Sequence, residues 1–429
     1  MKRLLKTAAA ALALTASPVA AQSFIITNAT IALGDGSEPI EDGTIVVEGG
    51  KITFAGTGEA PSLQSANVYD AQGGWVTPGI VAAVTNLGLW DVGAVGDSND
   101  ARIGDTPFGP ALDVSPAINP ASQHIAISRA GGITRAAVIA TPSGSLFSGL
   151  GAVIDTGADA SPITKARAFQ VVTIGERGAR IAGGSRIATH VMLRGAIAEA
   201  QDFARGRWNA DESMLTRADV AALSAVVSGR QKLLVHAERA SDIRQVISLS
   251  REFPALDIVL FGASEGWMVA SEIAAADIPV IANGLLDLPE RFEQLASTQS
   301  NIGRMHAAGV TVAIDASSMR QPRQLPQHAG NLVALSNVPR ASGLTWGQAL
   351  AAITSVPAEI LGMDGTLGSL QSGAAGDVVM WDGDPLQVGS VPTRVFIDGV
   401  EQPLENHQTR LRDRYRDLDE SELPKAYDW

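Results

Sequence analysis

The alternation of strand and helix patterns in the middle of the chain limits the folds that it can adopt. Short apolar runs typical of strands recur at residues 132–139, 232–236, 256–261, 278–281 and 309–314. Residues 216–228, and apolar positions spaced three and four apart between 193 and 203, predict helices in the intervals. Strands that alternate with helices indicate βα units and a parallel sheet, so we predict an α/β protein.

The two ends of the chain have a different pattern, which divides it into segments. Residues 77–366 have the length of one (β/α)8 TIM-like barrel, which typically needs about 250 residues before insertions. Residues 22–76 and 367–400 read as short strands broken by glycine turns. Residues 141–189, rich in Gly, Ser and Thr, are interpreted as an insertion on the barrel. The charge-dense tail, residues 401–429, is predicted to be a solvated helix.

The first 21 residues have the pattern of a secretory signal peptide. Lys2, Arg3 and Lys6 precede an apolar run and a small-residue cleavage site after Ala21. Cleavage removes these three cations and takes the formal net charge from −13 to −16. Such acidity argues against nucleic acid or an anionic membrane as a partner, and no later run has the length of a membrane span. We expect a periplasmic or secreted protein that acts on a small molecule; with no cysteine, it has neither disulfides nor thiolate ligands.

Two segments far apart in the chain carry a family resemblance. Residues 75–88 begin Trp-Val-Thr-Pro-Gly, and residues 354–384 end Gly-Asp-Val-Val-Met-Trp-Asp-Gly-Asp. Both resemble the amidohydrolase superfamily, most closely its imidazolonepropionase-like branch of metal-dependent hydrolases. The resemblance covers residues 24–400 and implies a barrel beside a small β-sandwich, to which N-terminal and C-terminal strands both contribute.

The same resemblance implies a metal centre whose ligands this chain keeps only in part. In the family the front segment continues Asp-x-His-x-His, and those histidines are the first metal ligands; Val84 and Asn86 occupy their places here. His236 stands where the family keeps a metal-binding histidine on strand 5, whereas Phe261 or Gly262 replaces the one on strand 6. The resemblance therefore implies at most one divalent metal ion, zinc by analogy, with His236 as a ligand.

Acidic and polar residues at the predicted strand ends complete the candidate site, because barrel enzymes build their sites there. Ser317 holds the position of the family's strand-8 aspartate, and Asp315 precedes it by two residues, an offset that keeps the same face of a strand. Glu238 follows His236 by two residues, so it shares a strand face with His236 in the same way. We predict His236, Glu238 and Asp315 as catalytic residues. The predicted substrate contacts are Asn86, Asp91, Glu265 and Ser317.

The other histidines contribute less to this site. His190 lies in a helical pattern, His306 opens the turn before strand 8 and His407 belongs to the tail. His124 and His328 lie in or near predicted βα loops, from which they could approach the barrel mouth.

Three functional hypotheses follow. The first is a hydrolase acting on carbon–nitrogen bonds of a cyclic amide or small peptide, with a rearranged metal site that uses His236. The second is a catalytically inactive relative whose barrel mouth binds a ligand. The third is metal-free acid–base chemistry by His236, Glu238 and Asp315.

Overall fold

The computed structural model describes residues 22–61, 63, 66–93, 95–316 and 321–416. The predicted signal peptide, the predicted substrate contact Ser317 and the end of the tail therefore lie outside the described residues. The strands are β1 Phe24–Ile31, β2 Ile40–Glu48, β3 Lys51–Gly56, β4 Asn67–Asp70, β5 Trp75–Pro78, β6 Ile80–Thr85, β7 Arg102–Ile103, β8 Ile133–Val138, β9 Thr141–Pro142, β10 Phe147–Asp155, β11 Ile163–Thr173, β12 Lys232–Ala237, β13 Ile258–Gly262, β14 Val280–Asn283, β15 Val312–Asp315, β16 Val378–Trp381, β17 Pro392–Ile397 and β18 Val400–Glu401. The helices are α1 Gln123–Ala130, α2 Gly175–Ile181, α3 Arg186–Ala204, α4 Arg217–Val227, α5 Ala240–Glu252, α6 Ala270–Ala275, α7 Asn301–Ala307, α8 Leu325–Leu335, α9 Trp346–Ala351, α10 Ser355–Ile360 and α11 His407–Tyr415.

Eight strands form a nearly closed barrel in the order β6-β8-β10-β11-β12-β13-β14-β15. From β11 to β15 all neighbouring strands are parallel, as the alternating pattern predicts. Residues 352–353 bridge the gap between the first and last strands, because Ile314 N–H donates to the Ala352 carbonyl and Val81 N–H to that of Ile353, each at 2.9 Å. The predicted α/β barrel is therefore confirmed.

The interpretation of residues 141–189 as an insertion is wrong, because this segment contains β10 and β11, which are two of the eight barrel strands. β10 runs antiparallel to both of its neighbours, and all nine of its residues are buried. The glycine and serine content of β10 resembles that of a loop, so the sequence does not reveal it as a barrel strand. At Gly149 and Gly151 a Cβ atom would stand 2.3 Å from the Leu112 carbonyl oxygen and 2.2 Å from the Phe169 ring, so tight packing requires the small residues that resemble a loop.

A second sheet combines strands from both ends of the chain. Its order is β18-β17-β16-β5-β1-β2-β3, with β4 paired to β1, and β16 joins the two ends by pairing antiparallel with β5. Phe24 stacks on Phe396 with ring centroids 4.3 Å apart, so residues 372 positions apart in the sequence share one apolar core. The predicted contribution from both ends is present; the sandwich arrangement of this sheet stays a prediction.

A buried arginine ties this sheet to the barrel. Arg135 on β8 donates from Nε to Asp377 at 2.7 Å and from Nη2 to Asp398 at 2.7 Å. Burial alone would lower the pKa of Arg135, but these two carboxylates raise it, so the guanidinium stays charged. Such a cation is tolerated in the interior because its donors are satisfied.

The tail contains a helix, as predicted, which is α11. Asn406 caps α11 through hydrogen bonds from the N–H groups of Gln408 and Thr409, and no residue of the helix is buried. Within the described ranges, every helix is too short or too polar to cross a membrane.

Candidate functional site

A layer of side chains lines the mouth of the barrel at the carboxyl ends of its strands. One apolar residue per strand fills the interior below it: Val171, Leu234, Val259, Ile281 and Ala313. Two residues further along each strand, the side chains that point to the same face are Thr173, His236, Phe261, Asn283 and Asp315. All five line cavities at this end of the barrel, which is where barrel enzymes carry their active sites.

Two adjoining cavities open at this mouth, and they share His236, Phe261 and Arg291 in their walls. We call the first, of about 680 Å³, the arginine cavity; the arginines in its wall are Arg102, Arg177, Arg180 and Arg291. We call the second, of about 360 Å³, the carboxyl cavity; the acidic residues in its wall are Glu238, Glu290 and Asp315.

His236, Glu238 and Ser264 form a hydrogen-bonded chain at the junction of the two cavities. The Nε2 atom of His236 lies 3.1 Å from Oε1 of Glu238. The other carboxylate oxygen of Glu238 accepts the backbone N–H of Ser264 at 3.0 Å and, at short range, the hydroxyl of Ser264. Phe261 packs edge-on against the imidazole with ring centroids 5.1 Å apart. These contacts fix the orientation of the imidazole ring.

The two carboxyl groups of the carboxyl cavity have pKa values displaced in opposite directions. Burial by itself raises the pKa of Glu238, but hydrogen bonding and charge from His236, with two hydrogen bonds from Ser264, lower it to about 2. Burial raises the pKa of Asp315 to about 8, and the negative charge of Glu238 contributes to this rise. At neutral pH Glu238 is therefore ionised and Asp315 carries a proton, a division of roles typical of an acid–base pair.

The structure thus brings the three predicted catalytic residues together, while the three predicted substrate contacts that it describes, Asn86, Asp91 and Glu265, lie elsewhere. Asn86 is buried, lines neither cavity, and its Oδ1 atom has no hydrogen-bond partner among the described residues. Asp91 accepts a hydrogen bond from Asn119 at 3.2 Å in the loop after β6. The carboxylate of Glu265 accepts the N–H groups of Ala240 and Ala296, so it fastens two loops. These placements do not support substrate contact by the three residues.

Of the other histidines, none lines either cavity. His190 lies in α3 and His306 in the last turn of α7, while His407 begins α11. His124 is in α1, with its ring stacked on Trp90 at 3.6 Å. His328, expected in or near a loop, is instead buried inside α8.

The residues present do not fit the metal centre that the family resemblance implies. Val84 lies in the apolar interior of the barrel and has no ligand atom. Both carboxylate oxygens of Glu238 are already engaged by His236 and Ser264. Within the described ranges, no three His, Cys, Asp or Glu side chains lie close enough together to hold a metal ion. The donor set is also too poor for zinc, which requires three or four such ligands.

Gly262 is one of the two residues, with Phe261, that replace the family's strand-6 histidine, and its backbone conformation favours a residue without a side chain. Its φ is +95°, and a Cβ atom would stand 2.9 Å from the carboxyl carbon of Glu238. We expect Gly262→Ala to lower the free energy of unfolding by about 1–3 kcal/mol, as measured by urea denaturation. Gly183→Ala is the matched control, since φ is +80° there and nothing lies within 4 Å. Equal losses in both variants would contradict a specific contact with Glu238.

Sequence reasoning missed several residues of the mouth. Thr173 and Asn283 could have been found, because each follows an interior apolar strand residue by two positions. Ser264 and the arginines of the arginine cavity could not, since loops, β7 and α2 bring them to the site and no local pattern marks them.

The comparisons with known proteins agree with this architecture. Residues 263–400 match the model described as Amidohydrolase family. The chain is 25% identical over 401 residues to "Amidohydrolase tasK" of Hapsidospora irregularis, covering 84% of this chain but 40% of that protein. It is 25% identical to an imidazolonepropionase of Acidiphilium cryptum, covering 84% of this chain and 94% of the relative. A further imidazolonepropionase, from Hyphomonas neptunium, is 37% identical over 87 residues, 21% of its length. The matched region thus spans less than half the length of two of these curated relatives.

Solved structures show the same fold. The crystal structure of an amidohydrolase from Thermotoga maritima MSB8 superposes with a TM-score of 0.77 at 24% identity, covering 88% of this chain and 99% of that one. Molinate hydrolase superposes with a TM-score of 0.53 at 16% identity, covering 90% and 95%. The fold is a nearly closed eight-stranded barrel, and the candidate site lies at the carboxyl ends of its strands. Part of the chain resembles the Amidohydrolase family, and an amidohydrolase and imidazolonepropionases are among the proteins to which it is similar.

Proposed function

We propose that this protein hydrolyses an amide-type carbon–nitrogen bond of a small molecule held at the barrel mouth. The observation that carries the proposal is the pair of carboxyl groups in one cavity with oppositely displaced pKa values, one of them hydrogen-bonded to an imidazole. Similarity to an amidohydrolase and to imidazolonepropionases favours this reaction class over other acid–base chemistry.

The chemistry assigns one task to each residue. When the imidazole of His236 donates its Nε2–H to ionised Glu238 and carries no second proton, its Nδ1 is free to act as a general base. The base takes a proton from water while the water oxygen bonds to the carbonyl carbon. Protonated Asp315 then delivers its proton to the leaving nitrogen as the carbon–nitrogen bond breaks. The products are a carboxylic acid and an amine, and the proton on His236 returns to Asp315 through solvent in the carboxyl cavity.

Our proposal includes the loss of the family's paired metal ligands. Val84 and Asn86 in the front segment, and Phe261 or Gly262 at strand 6, support it, because none supplies an imidazole. The acid–base group offers a route that needs no metal-bound water. We further propose a periplasmic or secreted location, which rests on the leader pattern of residues 1–21.

Turnover of a panel of small amides tests the proposal. We expect the purified protein to release acid and amine from at least one amide, and to do so equally after dialysis against a chelator. Glu359→Gln, at the opposite end of the barrel, is a control that should keep full turnover. Activity that disappears with the chelator would favour the rearranged metal site. Ligand binding without any turnover would favour an inactive binding protein.

A further inference from the structure

The barrel mouth is divided electrostatically between its two cavities. The arginine cavity has four arginines in its wall and, among the described residues, no aspartate or glutamate. In the carboxyl cavity Glu238 and Glu290, with the protonated Asp315, outnumber the one arginine, Arg291, which both cavities share. Because water-filled clefts lined by one sign of charge attract the opposite sign, the two halves of the mouth favour ligand groups of different charge.

The cavity arginines have no carboxylate partners of their own. Across the part of the chain that the structure describes, none of Arg102, Arg177, Arg180 and Arg291 comes within 4.0 Å of an acidic oxygen. Arg177 donates to the Pro142 carbonyl, a neutral acceptor. Partial burial and the like charges of Arg180 and Arg291 lower the pKa of Arg177. An anion between these guanidinium groups would relieve that repulsion.

A fixed scaffold holds the arginines on two sides of the cavity. Arg177 and Arg180 lie on α2, and Arg291 lies in the loop after β14. Glu293 joins the two elements, since it accepts the Glu176 N–H at 2.6 Å. That carboxylate also pairs with Arg186 at 3.3 Å. Glu293 is therefore engaged with Arg186 and not with the cavity arginines, which remain available to a ligand.

The position of Asp315 determines which half of the substrate lies in which cavity. Asp315 lines the carboxyl cavity only, whereas His236 lines both. A proton from Asp315 goes to the leaving nitrogen, so the amine half of the substrate lies in the carboxyl cavity. The acyl half must then extend past His236 into the arginine cavity.

We propose that the substrate is an amide whose acyl half carries an anionic group, such as a carboxylate, bound by Arg177, Arg180 and Arg291. The orientation of the substrate in this proposal rests on the proposed hydrolysis, and the negative charge of its acyl half rests on the arginines that have no carboxylate partner. Guanidinium groups bind carboxylates through paired hydrogen bonds, which fits an anchor at the far end of the acyl chain. The amine half is neutral or cationic, because it faces Glu238 and Glu290.

Two isomeric anilides test the direction. Glutaryl anilide has its carboxylate on the acyl half, and N-butyryl-4-aminobenzoate has it on the amine half. We expect kcat/KM to be at least about tenfold higher for glutaryl anilide, since one charge-assisted hydrogen bond alone accounts for such a factor. The double variant Arg177→Gln with Arg180→Gln should lose this preference, and Arg205→Gln, an exposed arginine outside the cavity, should keep it. An equal or reversed preference in the wild type would overturn the proposal.

Binding measurements separate this inference from the proposed reaction. Glutarate, neutral glutaramide and inorganic phosphate are titrated by calorimetry into the wild type, the double variant, Arg205→Gln and Arg291→Gln. We expect glutarate to bind at least about tenfold more weakly to the double variant and to Arg291→Gln, and glutaramide to bind poorly throughout. If glutarate shows this pattern but no amide is hydrolysed, the proposed reaction fails while the anion site stands. Glutarate binding that is unchanged in both variants, or phosphate binding that exceeds it, would overturn the carboxylate site.

Discussion

Asparagine in place of Asp315 is expected to lower kcat about 10²–10⁴-fold, the range that a positioned proton donor supplies. The amide keeps the size of the side chain but has no acidic proton to give to the leaving nitrogen. Single-turnover kinetics with a hydrolysed amide measure the effect. Asp364→Asn, an exposed position away from the mouth, is the matched control and should retain the wild-type rate. A loss below about threefold would show that Asp315 is not the acid.

The pH profile distinguishes an acid from a residue with a structural role. Because the pKa of Asp315 is raised to about 8, the group carries its proton below that pH and loses it above. Wild-type kcat should therefore fall as pH rises through about 8. The residual activity of Asp315→Asn should lack this alkaline decline. An identical decline in the variant would show that the fall in kcat at alkaline pH comes from the titration of another group.

Stability provides a second readout that does not depend on turnover. A carboxyl group whose pKa rises on folding binds its proton more tightly in the folded state, so its contribution to stability is greatest below the unfolded value of 3.8. That contribution declines as pH rises toward about 8. Urea denaturation should show Asp315→Asn gaining stability relative to the wild type between pH 5 and pH 9, by about 1.4 kcal/mol per pH unit at most. If the difference in unfolding free energy between the two proteins stayed constant from pH 5 to pH 9, the pKa of Asp315 would not be raised by folding.

The family resemblance and strand periodicity together predicted the candidate catalytic residues. His236 follows from the resemblance, and Glu238 and Asp315 follow from the two-residue offset that keeps a side chain on the same face of a strand. The arginine cavity depends on α2 and the loop after β14 meeting across the mouth through Glu293, a contact between residues more than 100 positions apart. Periodicity has no information about such a contact. Asn86 and Glu265 were misplaced for the same reason, since proximity to a strand end does not show whether loops have already covered a side chain.

The barrel strands β10 and β11 show a related limit of prediction from sequence. Sequence composition treats glycine and serine as signs of a loop, yet here close packing against Leu112 and Phe169 demands small residues inside a strand. Only the neighbouring elements make those glycines necessary. The family resemblance, in contrast, predicted that both ends of the chain contribute strands to one small sheet, because its motifs lie at both ends and include β5 and β16, which pair.

Glutamine in place of His236 is expected to reduce kcat by about 10²–10⁴-fold, since an amide cannot accept the proton of the attacking water. Glu238→Gln should have a smaller effect on the rate, because the imidazole remains but loses the carboxylate that sets its tautomer. The rate ratio of the two variants, measured by single-turnover kinetics, separates the base from its positioning residue. Glu359→Gln serves again as the control.

The two variants also differ in how their stability responds to acid. The pKa of Glu238 is lowered from 4.5 to about 2, so its ionised form stabilises the fold above pH 4.5, and this contribution is lost as pH falls toward 2. Glu238→Gln should therefore be less stable than the wild type at pH 7, by about 1–3 kcal/mol, and the difference should shrink as the pH falls from 4.5 toward 2. A Glu238→Gln protein as inactive as His236→Gln but fully stable at pH 7 would place Glu238 itself in contact with the reacting atoms. That result would assign the water-activating role to the carboxylate, and His236 would become the residue that orients it.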